Sequence, residues 1–308
     1  MTVLRTPDAR FASLPGFPWQ PVYVEASDGL RVAVLDEGPR DGQVVLLLHG
    51  EPTWSYLYRK VVPVLLDAGL RVVAPDLVGF GRSDKPADDA AYTYAAHVEW
   101  MRSALFDGLG LRSVVLLCQD WGGLIGLRLV GEHPDRFRAV CATNTGLPDG
   151  SAPMGPEWQR FRAFVEADPD LPVGFLVTSG CLHGLSPEEA AAYDAPFPDT
   201  AYKAGPRTFP SLIPQSPDDP AVPAQQAAWA ALEAFDRPFL CAFSDQDPIT
   251  RGADRGLLAR VPGTRGQPHT TVEGAGHFVQ EDRGEELGRL LASWVSGLSL
   301  PSQLSEPG

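Results

Sequence analysis

The stretch Val114 to Leu124, V-V-L-L-C-Q-D-W-G-G-L, runs an apolar segment straight into a glycine-rich one. In that context a strand turns sharply into a helix, and a small-x-nucleophile-x-small sequence holds its middle side chain above a sheet. Cys118, Gln119, Asp120, Trp121 and Gly122 fill the five places, so the raised group is a carboxylate where a serine is usual. A carboxylate is ionised at neutral pH and needs no base to become nucleophilic. Attack on an acyl carbon would leave an anhydride. Attack on a saturated carbon bearing a leaving group leaves an alkyl ester, which water can later open at its carbonyl. The competing reading makes Asp120 a cap for the following helix.

Opening an ester calls for a base to deprotonate water and a partner to fix the tautomer of that base. Asp247 lies just after the apolar run Phe239 to Phe243, and His277 lies in G-A-G-H-F after a second such run. Nucleophile, acid and histidine therefore come in the order expected of this type of turn. Asp245 competes with Asp247; the latter precedes Pro248 in a loop that leads away from the strand, a weak distinction. Among the six histidines, His277 is set apart by its glycine-flanked turn before a helix. His49-Gly50-Glu51-Pro52 follows the first parallel-type run, where the main-chain N–H of Glu51 joins that of Trp121 as an oxyanion hole, or forms a plain strand-to-helix turn. Gly79-Phe80-Gly81 lacks the third glycine and the acidic residue ~20 positions on that a dinucleotide site needs, and reads as a structural turn.

These groups need a scaffold. Val44–Leu48, Val72–Ala74, Val114–Leu117 and Phe239–Phe243 are short and uniformly apolar, as strands of a parallel sheet covered on both faces are. Helical periodicity separates them, as over Tyr92 to Leu109, where Val98, Met101, Leu105 and Leu109 recur at three- and four-residue steps. Val22–Glu25 and Arg31–Asp36 alternate around Asp28-Gly29, a hairpin signal that places an antiparallel edge before the parallel body. The expected fold is α/β, with a mostly parallel sheet between helices and an inserted helical cap. Residues 1–146 and 238–298 make the core, with a strand at Thr270–Val272 and a final helix over Gln280–Val295. The strand signal lapses over 147–237, the expected cap, and 299–308 are expected to be a disordered tail.

Composition narrows the chemistry. A chain of 308 residues, 44% hydrophobic, can bury one large core plus a small appended domain. A net charge of −14 argues against nucleic acid or an anionic membrane as partner and favours a small uncharged substrate. Met1 to Pro15 carries no targeting pattern, and no run of 18 uncharged apolar residues occurs, so a soluble, unprocessed, cytoplasmic protein is expected. Cys118, Cys141, Cys181 and Cys241 lack metal-binding spacing and read as reduced thiols; no metal or cofactor is expected.

Five joined motifs carry a resemblance: H-G-E-P-T-W-S-Y-L-Y-R at His49–Arg59, P-D-L-V-G-F-G-R-S-D-K-P at Pro75–Pro86, C-Q-D-W-G-G at Cys118–Gly123, Y-D-A-P-F-P-D at Tyr193–Asp199 and G-A-G-H-F-V-Q-E at Gly274–Glu281. Together they resemble the haloalkane dehalogenases, particularly their type 1 subfamily, from about Val3 to Val295. The resemblance implies an α/β-hydrolase fold, an Asp120 nucleophile, a His277 base, Asp247 over Asp245 as the acid, and Trp121 as a halide-holding indole. It implies a small halogenated substrate, a halide product, and a monomer or small homo-oligomer. One position departs from the subfamily, which places a second halide-holding tryptophan in the cap: M-G-P-E-W-Q-R-F-R-A-F sets Phe161 there. Phenylalanine offers only a weakly positive ring edge. Trp158, one helical turn earlier, either supplies the missing N–H or packs. The alternatives are an epoxide hydrolase, which would call on cap tyrosines such as Tyr193 or Tyr202, and a non-catalytic ligand-binding protein of the same fold.

Overall fold

The computed structural model describes residues 1–298; the tail at 299–308 lies outside the described residues. Eight strands form one sheet: β1 (Val22–Glu25), β2 (Arg31–Glu37), β3 (Val44–Leu48), β4 (Arg71–Pro75), β5 (Val114–Gln119), β6 (Phe137–Thr143), β7 (Phe239–Ser244) and β8 (Thr270–Val272). Their spatial order is β8-β7-β6-β5-β3-β4-β2-β1. The β1–β2 and β2–β4 pairs are antiparallel, and all pairs from β4 through β8 are parallel. The hairpin forms where Asp28-Gly29 foretold it, with φ of 62° and 69° at the two residues, the left-handed conformation such turns need.

β5 is buried at every residue because helices cover both faces, which is why its sequence does not alternate. β6 was not anticipated: Arg138 interrupts its apolar run, yet it lies beside β5 in the interior of the sheet. The periodic segment Tyr92 to Leu109 is a helix only from Tyr94. After α1 (Val62–Asp67), Thr93 accepts the Ala96 N–H in its side chain and so caps α2 (Tyr94–Arg102), which widens into a π turn over Ser103–Gly108.

β3 is flanked by β4 on one side and β5 on the other, so the chain leaves β3 in one direction and returns on the other side. In open α/β sheets the crevice for ligands opens at the carboxyl ends of the strands at such a switch point. The loops after β3 and β5 meet there, and β7 and β8 deliver two further loops to the same edge. Between β6 and β7 the described chain is helical: α4 (Pro156–Ala167), α5 (Val173–Gly180), α6 (Pro187–Asp194), α7 (Ala204–Thr208) and α8 (Val222–Leu232). α5 packs on α6, while α8 turns back onto α3 (Trp121–Glu132), where Arg128 donates to Gln225 at 3.1 Å.

A buried ionic cluster ties this helical region to the sheet. Arg59 pairs with Glu281 at the start of α10 (Val279–Gly297), the helix after α9 (Asp254–Arg260), and with Glu189 of α6 at 2.6 Å; Tyr193 donates its hydroxyl to Glu281, and Lys60 lies 3.1 Å from it. Buried charges persist only when paired in this way. The cluster stands a few residues from His277, so it sets the helical region against the turn that carries the histidine.

Candidate active site

Asp120 follows the last residue of β5 with φ 50° and ψ −129°, a conformation a non-glycine residue holds only where its surroundings impose it. The surroundings do: a Cβ on Gly122 would meet the Leu48 carbonyl, and one on Gly123 the Thr145 hydroxyl. Only glycine lets α3 start this close to the loops after β3 and β6. The Asp120 main chain is pinned as well, its N–H donating to Asn144 O at 3.0 Å and its carbonyl accepting from Thr145 Oγ1 at 2.7 Å.

The Asp120 carboxylate is divided between two neighbours. Oδ1 accepts the Glu51 main-chain N–H at 2.7 Å, and Oδ2 lies 3.5 Å from His277 Nε2. His277 Nδ1 lies 3.0 Å from Asp247 Oδ2. Asp247 is buried, and its carboxylate also accepts the Ile249 N–H at 2.8 Å and the Thr250 hydroxyl. Asp245 is occupied elsewhere: it accepts the Gly274 N–H at 2.8 Å, fixing the turn that leads into His277. Of the two acids weighed from sequence, the one that reaches the ring is Asp247.

Burial alone would lower the pKa of His277. Asp247 first, then Asp120, more than offset this and push it up to about 10. Burial would raise Asp247, yet the His277 charge and hydrogen bonds from the ring and Thr250 bring it down to about 2. Glu51, buried beside Asp120, is pushed well above the usual carboxylate range by burial and then by the Asp120 charge.

A cavity of about 370 Å³ opens over these groups. Asp120, His277, Glu51, Trp121, Trp158 and Phe161 all line it, so the structure gathers every sequence-predicted site residue except Asp247, which stands behind the ring. No lysine or arginine is among its described lining residues. The Trp121 indole stacks on Phe209, with ring centroids 4.3 Å apart and planes 11° apart, and meets the edge of Tyr94 at 5.1 Å. Its N–H is buried without a partner, which is costly unless something occupies it during function. Trp158 and Phe161 of α4 form part of the roof, Trp158 4% exposed. The arrangement sets a carboxylate, an imidazole held by a second carboxylate, and an unpaired indole N–H around a largely apolar cavity.

The model of the alpha/beta hydrolase fold family matches residues 43–284. A haloalkane dehalogenase of Psychrobacter cryohalolentis is 52% identical over 96% of this chain and 98% of its own, and one of Mycobacterium marinum is 50% identical over 96% and 100%. The chain belongs to the haloalkane dehalogenases. A solved structure agrees, the tetrameric haloalkane dehalogenase DpaA from Paraglaciecola agarilytica NO2, with a TM-score of 0.89 and 39% identity over 97% of this chain and 100% of that one.

Several residues of this dehalogenase site carried no signal in the sequence. Phe209 comes from the segment after α7 and meets Trp121 only through the fold. Asn144, just past β6 with φ 39°, donates its Nδ2 to Ser244 Oγ, Gly276 O and His277 O, joining the ends of β6 and β7 to the histidine turn. A polar residue at the end of an apolar strand was the one clue to it, and that clue required seeing β6. The apolar roof from Leu176, Cys181 and Ile213 is likewise spread over separate helical pieces.

Proposed function

We propose that the chain converts haloalkanes and water to alcohol, halide and a proton in two steps at Asp120. Oδ1 stays on the Glu51 N–H while the electron pair of Oδ2 displaces the halide from carbon, leaving an alkyl ester. Halide departs without a proton, so the site needs only a donor for the developing negative charge. The unpaired Trp121 indole N–H is that donor, set in a cavity lined mostly by apolar groups that strengthen it. Water then attacks the ester carbonyl carbon and gives its proton to His277 Nε2. The resulting oxyanion remains on the main-chain N–H groups of Glu51 and Trp121, and collapse expels the alcohol, which takes up the proton.

Charge orders the two steps. Two carboxylates hold His277 as a cation in the resting site; alkylation of Asp120 removes one of them, and the ring then releases its proton and becomes a base. The observation that carries this reading is a carboxylate with one oxygen 2.7 Å from a main-chain N–H and the other 3.5 Å from His277, beneath an apolar cavity with an unpaired indole. The absence of basic residues among the described lining favours an uncharged substrate. An epoxide hydrolase fits less well, because neither Tyr193 nor Tyr202 lines the cavity and the Tyr193 hydroxyl is bound to Glu281. With 1,2-dibromoethane the enzyme is expected to release bromide and acid together. Diol from styrene oxide with no bromide from the haloalkane would overturn the assignment.

Trp158 completes the halide site in this proposal, since Phe161 at the expected cap position offers no N–H. A hydrogen bond to an ion contributes about 1.5–3 kcal/mol, so Trp158→Phe should weaken bromide binding ~10-fold or more, read by bromide titration of the remaining fluorescence. A change under about twofold would make Trp158 a packing residue. The helical insertion over 147–237 selects the substrate, and the tetrameric relative supports a small homo-oligomer. No described helix is long and apolar enough to cross a membrane, and free thiols at Cys118, Cys141 and Cys241 suit the cytoplasm.

A further inference from the structure

Gln119, the last residue of β5, is fully buried, and a buried amide at the end of an apolar strand calls for a reason. Its Nε2 lies 3.1 Å from His277 Nε2 and donates to the His277 carbonyl at 3.2 Å. Its Oε1 is buried with no partner. Turning the amide over would set Oε1 against the His277 carbonyl oxygen, acceptor against acceptor, so the carbonyl fixes which end faces the ring. Asp247 accepts from Nδ1, so in the neutral ring Nε2 carries the lone pair, and the Gln119 N–H points at it. The hydrolysis proposed above needs that same lone pair for the proton of water.

We infer that Gln119 is a positioning residue for the base: once alkylation has removed the Asp120 charge, its amide holds His277 in the tautomer with Nε2 bare and opposes protonation of a ring that Asp247 still draws towards the cation. A protonated Nε2 would turn its N–H to Asp120 Oδ2 at 3.5 Å and leave the Gln119 N–H 3.1 Å from a ring nitrogen that no longer accepts. The inference rests on the two-step reading of Asp120. The titratable groups facing His277 are Asp247 on the β7 loop, Asp120 on the turn after β5 and Glu51 on the β3 loop. Among the described residues, the helical region brings the Gly180 carbonyl, which accepts the His277 main-chain N–H at 2.8 Å, and, lining the same cavity, the Cys181 thiol, which burial keeps protonated. Asp282 is occupied with the Gly276 N–H at 2.8 Å. Every charged neighbour thus pulls one way, and the Gln119 amide joins burial in pulling the other. A simple strap would be redundant, since Asn144 Nδ2 already donates to the same carbonyl at 2.9 Å.

The test is Gln119→Met, which keeps the volume and removes the donor, in protein carrying ring-15N histidine. The midpoint of the His277 nitrogen titration is expected to rise by about 1 pH unit. The acid limb of alkyl-ester hydrolysis should rise with it, with ~10-fold loss on the limb and less than about twofold on the plateau. The initial burst of bromide from 1,2-dibromoethane should change by less than about twofold. Gln119→Asn, which keeps the amide but withdraws it by one methylene, should shift the midpoint in the same direction and stands in if the Met variant does not fold. An unmoved midpoint, or a hydrolysis loss equal at every pH, overturns the inference. Absence of bromide release by the unaltered enzyme would instead overturn the two-step reading, and the nitrogen titration separates the two failures.

Discussion

Asp120→Ala is expected to abolish bromide release from 1,2-dibromoethane, by a factor on the order of 10⁴ or more, while the protein still folds. The expectation follows from what the other groups can do without it. His277 and Asp247 can present a base to water, and Trp121 can steady a halide, yet none of them can displace halide from a saturated carbon. Water in this cavity is a poor nucleophile towards such a carbon, and a histidine drawn towards its cation by Asp247 does little to improve it. A thermal melt controls for folding, because Asp120 also sits at a backbone conformation its surroundings impose and its Oδ1 fills the Glu51 N–H. Asp120→Asn keeps the shape and both hydrogen-bond neighbours while removing the charge, and should lose activity to a similar degree. Retention of more than about a tenth of the activity in both variants would mean that the carboxylate is not the attacking group.

The family and the chemistry proposed for this site were legible in the sequence because the features that carry them are local. A five-residue turn with glycine after the nucleophile, a G-A-G-H turn and an H-G-E-P loop each specify their backbone over a few residues, and their order along the chain names the fold that joins them. What sequence left open turns on distances that no spacing encodes. Asp245 and Asp247 are two residues apart on one loop, and only the fold shows one binding the Gly274 N–H and the other reaching His277. β6 went unseen for a different reason: its Arg138 breaks the apolar run that marks a covered strand, although the remaining residues from Ala139 to Thr143 are buried. Phe209, Asn144 and Gln119 are remote in sequence from the groups they touch, and nothing local marks a side chain whose work is to hold another. The ordering proposed for the two chemical steps belongs to the same class, since it depends on two carboxylates flanking one ring.

That ordering makes His277→Gln the most informative single change. Alkylation uses only Asp120 and the halide donor, so the variant should release about one bromide per active site and then stop. Turnover should fall by a factor on the order of 10³ or more, and the intact protein should become heavier by one alkyl group. The variant also removes the cation between Asp120 and Asp247, with a consequence for stability that has a definite sign. A group raised to about 10 in the folded protein from an ordinary 6.5 stabilises fully below the lower value and progressively less as pH rises through the higher one. The melting temperature of the variant should therefore lie furthest below that of the unaltered protein near pH 6, with the gap shrinking towards pH 10. The two readouts are independent. If the mass stays unmodified after incubation with a bromoalkane while the pH-dependent stability gap is present, His277 sits between its two carboxylates as described, but the ester mechanism is wrong.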